Sequence, residues 1–172
     1  MSYARFAAMI ATSTVVMFAL MYLNTYALEH IAFSETRAFM ALVMGAAMAA
    51  VMLAFMWGMY PDRRINAAIL AAAALVFAGA LALVRTQATV GDVAYMRAMI
   101  PHHSIAVLTS ERARIRDPRV RALADRIIEA QVREIAEMKA LVADLARTPP
   151  PPDAPDLPSY RAQGASSPAQ RP

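Results

Sequence analysis

Several residue types that mark common enzyme classes are absent or scarce in this sequence. Cysteine is absent, and glycine occurs only five times among 172 residues. The sequence has no phosphate-binding glycine loop, no dinucleotide-binding fingerprint and no nucleophile motif. It therefore gives no reason to expect an enzyme of these classes. The lack of thiols fits an oxidising compartment without requiring one.

Lysine is also scarce: 16 of the 17 basic residues are arginine. The formal net charge of the chain is +4. The arginines do not alternate with aromatic residues in the way that a nucleic-acid-binding surface requires. The positive charge therefore does not predict a nucleic-acid partner.

Long apolar runs, by contrast, dominate the first half of the chain, and 59% of all residues are hydrophobic. Each run is close to the ~20 residues that a helix needs to cross a bilayer core. We predict three transmembrane helices, at about residues 6–26, 38–60 and 65–84, in a membrane domain over residues 1–87. Aromatic residues that suit the lipid–water interface stand near the ends of the first two: Tyr22, Tyr26, Trp57 and Tyr60.

The first run has an alternative interpretation as a cleaved signal peptide, since Arg5 provides a short basic start. The run is longer than a usual signal-peptide core, and no small-residue cleavage site follows it cleanly. A retained helix is therefore the favoured interpretation.

The arginines beside the apolar runs predict the orientation of the chain. Arg5, Arg63 and Arg64 fall on one side of the membrane, whereas Arg37 and Arg85 fall on the other. Because basic loops stay in the cytoplasm, we expect the N-terminus inside the cell. The protein is then predicted to lie among the lipids of a bacterial cytoplasmic membrane, with everything after the third helix in the periplasm or outside.

After the membrane domain, residues 91–147 are predicted to form an antiparallel helical hairpin. Asp92 is a plausible N-cap for the first helix, which should end near Arg114, and Asp117 followed by Pro118 marks the start of the second. The predicted fold class is all-α. Residues 148–172 are rich in proline and small polar residues, which predicts a disordered tail.

The two predicted hairpin helices carry side chains that bind soft metals. At about 100° per residue, four of them share one face of the first helix: Met96, Met99, His102 and His103. Three more lie on the facing side of the second helix: Gln131, Glu134 and Met138. Since the helices are antiparallel and rise equally, the two groups should come close together.

Imidazole and thioether donors together suit copper, particularly Cu(I), better than magnesium or calcium. The Glu134 carboxylate could bind Cu(II) or zinc, or orient an imidazole. The alternative is that the methionines fill the core and the histidines are hydrogen-bonded structural groups. Spacing alone leaves both interpretations open.

The same segment resembles a bacterial protein family known as domain of unknown function 305. Its pattern combines an acidic residue, an aromatic residue and Met-x-x-Met-Ile-Pro-His-His with Gln-x-x-Glu-Ile-x-x-Met on the next helix. This sequence carries Asp92, Tyr95, Met96, Met99, Ile100, Pro101, His102 and His103, followed by Gln131, Glu134, Ile135 and Met138.

The resemblance implies a ferritin-like four-helix arrangement of two hairpins, in exported proteins of which some are associated with copper binding and tolerance. The superfamily does not imply di-iron chemistry here, because the Glu-x-x-His ligand pair is missing. This chain has a single hairpin, so a second subunit is the simplest source of the other two helices. We therefore predict a homodimer that meets along the seam containing Ile128 and Ile135. The membrane helices are a poorer source of cover, since they face lipid.

The leading prediction is a membrane-anchored protein that sequesters copper or transfers it to or from another protein. The alternative is a structural or regulatory membrane protein whose hairpin mediates oligomerisation without metal. A redox enzyme that uses the bound metal is a third and weaker reading. Two further features could contribute to a metal site, but solvation or ordinary packing is the favoured interpretation of both: His30, and the ladder formed by Met40, Met44, Met48, Met52 and Met56.

Overall fold

The structure, a computed structural model, describes residues 2–160. Over these residues it contains helices and connecting turns and no strand, so the all-α prediction is confirmed. The five α-helices are α1 Tyr3–Leu20, α2 Glu35–Phe55, α3 Arg63–Thr86, α4 Asp92–Arg112 and α5 Pro118–Leu145. Short 3-10 helices at Leu28–His30 and Trp57–Met59 precede α2 and α3.

The first three helices are long and apolar enough to cross a membrane. Two of the predicted helices extend too far: α2 ends at Phe55 instead of about residue 60, and α1 ends at Leu20 instead of about residue 26. The following segment folds back as a turn, because the buried Tyr22 hydroxyl accepts the N–H of Ser34 at 3.0 Å. The apolar run therefore includes residues that belong to the connection between α1 and α2.

Helix α2 lies between α1 and α3 and packs against both. Gly45 allows α1 to approach closely, since a Cβ at this position would overlap the Thr14 hydroxyl. At the other end, the Tyr3 hydroxyl donates to Asn66 Oδ1 at 2.9 Å, which joins the beginning of α1 to the beginning of α3. The N-terminal ends of α1 and α3 thus lie together, at the end of the three-helix group opposite to the hairpin.

Helices α4 and α5 form the predicted hairpin and pack along their lengths. Asp117 caps α5 as predicted, because its carboxylate accepts the N–H of Arg119 at 2.8 Å. The prediction that Asp92 is the N-cap of α4 is wrong: Gly91 is the cap, and Asp92 is the first helical residue, where a carboxylate still complements the helix dipole. Helix α4 continues through Pro101 and ends at Arg112.

One face of the hairpin packs against the connection between α1 and α2. The Ser104 hydroxyl accepts the N–H of Tyr26 at 2.8 Å, and Lys139 forms an ion pair of 2.9 Å with Glu29. The sequence analysis considered only the membrane helices as cover for the hairpin and did not predict this contact. Hydrogen bonds and an ion pair with the α1–α2 connection make it.

The predicted proline-rich tail falls only partly within the described residues. Residues 149–160 form no helix or strand and are exposed. Residues 161–172 lie outside the described part of the chain, so the prediction of disorder over 148–172 stays a prediction.

Candidate metal centre

A groove of about 580 Å³ runs between α4 and α5. Five of the seven predicted site residues line it: Met96, Met99, His103, Glu134 and Met138. They come from both helices, which shows that the hairpin brings the two halves of the motif together. The groove is open on its outer side.

His103 has the most defined geometry in the groove. Its Nδ1 lies 3.0 Å from the carbonyl oxygen of Met99, and its Nε2 lies 2.8 Å from Glu134 Oε2. A carbonyl can only accept, so Nδ1 carries a proton and donates it. Nε2 is thereby directed into the groove, towards the carboxylate. The side chain is only 13% exposed, whereas that of Glu134 is 44% exposed.

Both ring nitrogens of His103 thus contact oxygen atoms, one on its own helix and one on α5, and these contacts fix the orientation of the ring. Metal-binding histidines commonly show the same arrangement, in which one ring nitrogen donates to a carbonyl and fixes the orientation of the other.

The structure does not bring His102 into the groove. Its side chain is exposed, and its ring centre lies 6.0 Å from that of His103. Adjacent residues on a helix point about 100° apart, so one histidine faces α5 while the other faces away from it. His102 lies seven residues after Tyr95 and therefore on the same flank of α4.

Gln131, the other predicted residue that does not line the groove, contacts Glu134. Its Nε2 lies 3.4 Å from the carboxylate oxygen that also meets His103. The amide thus helps to orient the carboxylate, and it does not offer a donor to the groove itself.

The sequence analysis missed three carboxylates that line the groove: Asp92, Glu137 and Asp144. Asp92 was noted only as a cap and a motif residue. Glu137 and Asp144 follow Glu134 at helical spacings of three and ten residues, a periodicity that could have revealed them. Their charges make the end of the groove near the beginning of α4 acidic.

The donor set decides which metals fit this groove. Within residues 2–160, no group of three or more His, Cys, Asp or Glu side chains converges closely enough to hold a metal ion. The groove combines three thioethers and one imidazole with four carboxylates, of which that of Glu134 contacts the imidazole. Thioether and imidazole donors are the kind that Cu(I) prefers, whereas hard cations need several oxygen ligands around one point.

His30 and the methionine ladder do not contribute to the groove. His30 has a side chain that is 13% exposed and contacts Ser104, which does not line the groove. Met52 and Met56 pack against the core around Phe6 and Leu53. Both features thus have structural contacts, and the histidine is more buried than the expected solvated group.

Residues 92–171 match the model of a family described as domain of unknown function (DUF305). This segment belongs to the DUF305 family. An uncharacterized protein of Acanthamoeba polyphaga mimivirus is 44% identical over 61 residues, which are 34% of this chain. The match covers 40% of the viral protein, so the chain spans less than half of that relative. No solved structure shows a significant match.

The family resemblance inferred from the histidine motif is thus confirmed for the hairpin. In this chain the DUF305 segment follows three helices long and apolar enough to cross a membrane.

Proposed function

We propose that this chain is a membrane-anchored copper-binding protein that sequesters the metal or passes it to another protein. The observation that carries the proposal is the orientation of His103, whose Nδ1 is fixed by the Met99 carbonyl while Nε2 points into a groove lined by methionines. If these side chains only filled an apolar core, a partly buried imidazole directed at a carboxylate would not be expected among them.

The residues that would hold the metal are His103, Met96, Met99 and Met138, with Glu134 as a further ligand or an orienting group. Thioethers favour Cu(I), while the carboxylate would allow Cu(II), or zinc as the alternative metal. Because protons compete with metals for imidazole and carboxylate ligands, affinity should fall as the solution becomes more acidic.

The test is a titration of the purified full chain in detergent with Cu(I), Cu(II) and Zn(II). The wild type should bind Cu(I) most tightly, and a double His102→Ala, His103→Ala variant should lose that affinity while it keeps its helical circular dichroism. A Met48→Leu variant, which removes a thioether outside the groove, is the matched control and should bind as the wild type does. Equal binding by the double variant would show that the motif is not the site.

We also propose that the hairpin lies outside the cytoplasm, with the N-terminus inside. Three spans would place the two ends of the chain on opposite sides, and three arginines stand at the N-terminal ends of α1 and α3. A reporter that is active only outside the cytoplasm should work when fused after Arg147 and should be silent after Arg64. The reverse pattern would place the copper groove inside the cell.

The alternative function, assembly through the hairpin, is favoured by an exposed apolar flank of the hairpin that includes part of the groove lining. Val120, Ile127 and Leu141 recur with Glu134 every seven residues, so they share one flank of α5. Their side chains are 37–50% exposed, and Tyr95 on α4 is 54% exposed. This open flank is the surface that a second subunit would cover, and copper binding and homodimer formation are compatible.

The structure changes the residues with which such a homodimer should be tested. Ile135, in the seam predicted to join two subunits, is only 4% exposed and is already buried within one subunit. Single cysteines at Ile127 or Leu141 should form cross-linked dimers in membranes, whereas a cysteine at Arg133, on another side of α5, should not. Monomers at every position would contradict the homodimer.

A further inference from the structure

A second polar cluster surrounds Ser104, which follows His103 on α4 and points about 100° away from it. Ser104 is fully buried, and its Oγ lies 2.8 Å from the backbone nitrogen of Tyr26 and 2.9 Å from Nδ1 of His30. These contacts join residues 78 and 74 positions apart in the sequence. They hold α4 of the hairpin against the α1–α2 connection.

The hydrogen bonds of Ser104 determine the protonation state of His30. The Tyr26 N–H can only donate, so the serine oxygen accepts that bond and its own proton needs an acceptor. Among the described residues, His30 Nδ1 is the remaining partner of this hydroxyl. His30 is therefore neutral, with its proton on Nε2, which lies 3.5 Å from the Glu29 carboxylate.

A second proton on His30 is incompatible with this arrangement. Nδ1 would become a donor, and the Ser104 oxygen would then face two donors while its own proton had no acceptor in a buried position. The charged groups around His30 are Glu29 on the same 3-10 helix and Lys139 from α5. Burial, and next the Lys139 charge, lower the pKa of His30, although Glu29 acts in the opposite direction.

We propose that the contact between His30 and Ser104 is an acid-sensitive latch that attaches the hairpin to the connection between α1 and α2. Neutral His30 keeps the latch closed, and protonated His30 opens it. His30 binds a second proton less readily while the latch is closed than while it is open. The attachment therefore has its full strength above the ordinary histidine pKa of about 6.5 and weakens as the pH falls below that value.

The latch and the groove lie on the same helical turns. Ser104 follows His103 directly on α4, and Lys139 follows Met138 on α5. Opening the latch therefore removes a contact from the turn of α4 that carries His103. The latch itself does not depend on what the groove binds, so it can be tested on metal-free protein.

The test is hydrogen exchange of the Tyr26 amide in the full chain in detergent, measured at about pH 7.5 and about pH 5, on either side of the ordinary histidine pKa. Rates are corrected for the intrinsic effect of pH, and the Ile135 amide in α5 serves as a reference for global unfolding. In the wild type, protection at Tyr26 should fall at the lower pH while protection at Ile135 is kept.

Three variants separate the latch from other effects. His30→Gln can still accept from Ser104 but does not titrate, so its Tyr26 protection should be the same at both pH values. Ser104→Ala should lose protection at both, and His102→Gln, which removes an exposed histidine outside the latch, should behave like the wild type. Unchanged wild-type protection, or an equal fall in His30→Gln, would overturn the proposal.

Discussion

Replacing His103 and His102 by alanine, one at a time, should change copper affinity unequally. His103 directs Nε2 into the groove, whereas the His102 side chain is exposed and its ring centre is 6.0 Å from that of its neighbour. A ligand and an exposed neighbour have different effects on affinity, even though the sequence motif presents the two histidines as equivalent.

The expected magnitudes follow from these positions. Loss of a residue that merely orients a ligand typically weakens metal binding about 10–100-fold. His103→Ala removes a ligand itself, so a loss of about 100-fold or more is expected, and Glu134→Gln should fall in the 10–100-fold range. His102→Ala is an exposed substitution worth at most about 0.5 kcal/mol, or roughly twofold in affinity.

The variants should remain folded, so that affinities can be compared. His103→Ala loses hydrogen bonds at a site whose carboxylate is 44% exposed, and water can replace the lost partner. A cost of about 0.5–1.5 kcal/mol in the free energy of unfolding is expected. Thermal unfolding followed by circular dichroism verifies this before any titration.

The assay is a competition between the full chain and a chromogenic Cu(I) chelator, at constant pH and detergent. Equal losses for His102→Ala and His103→Ala would refute the assignment of the site to one subunit, because the geometry of a single hairpin keeps His102 out of the groove. Unchanged affinity in His103→Ala would refute the groove as the copper site.

Other substitutions test the fold. Asp117→Ala removes the cap of α5 and should lower Tm by about 2–4 °C. A hydrogen bond from Arg119 lowers the pKa of Asp117. The cap therefore stabilises the folded protein fully above the ordinary aspartate pKa of about 3.9, and this stabilisation is lost as the pH falls through the lowered pKa. An Asp117→Ala effect on Tm that is the same at all pH values would contradict this dependence. Gly45→Ala should lower the free energy of unfolding by about 1–3 kcal/mol, because the added methyl group overlaps Thr14. Thr14→Ala in the same chain should restore most of this free energy. Additive effects of the two substitutions would show that the positions are independent. Ile135→Ala should lower the free energy of unfolding by about 2–5 kcal/mol, because the side chain is buried. A smaller loss in chemical denaturation would mean that Ile135 is not packed within the hairpin as described.

The sequence by itself was sufficient to predict the helices, because helix formation depends on properties of short segments. Apolar length predicted α1, α2 and α3, and the Asp117-Pro118 pair predicted the start of α5. The histidine motif identified the family through its fixed spacing. Errors in the helices themselves were confined to their ends, such as Asp92 and Leu20, where tertiary contacts or the neighbouring residue decide the boundary.

Only the tertiary structure distinguished the two histidines. The rotation of α4 about its axis determines which of them faces α5, and that rotation depends on packing on both sides of the helix. Ser104 is held by Tyr26 and His30, far away in the sequence, and this contact leaves His103 directed at Glu134. Local periodicity fixes the angle between neighbouring side chains but not the direction of the pair, which long-range contacts decide.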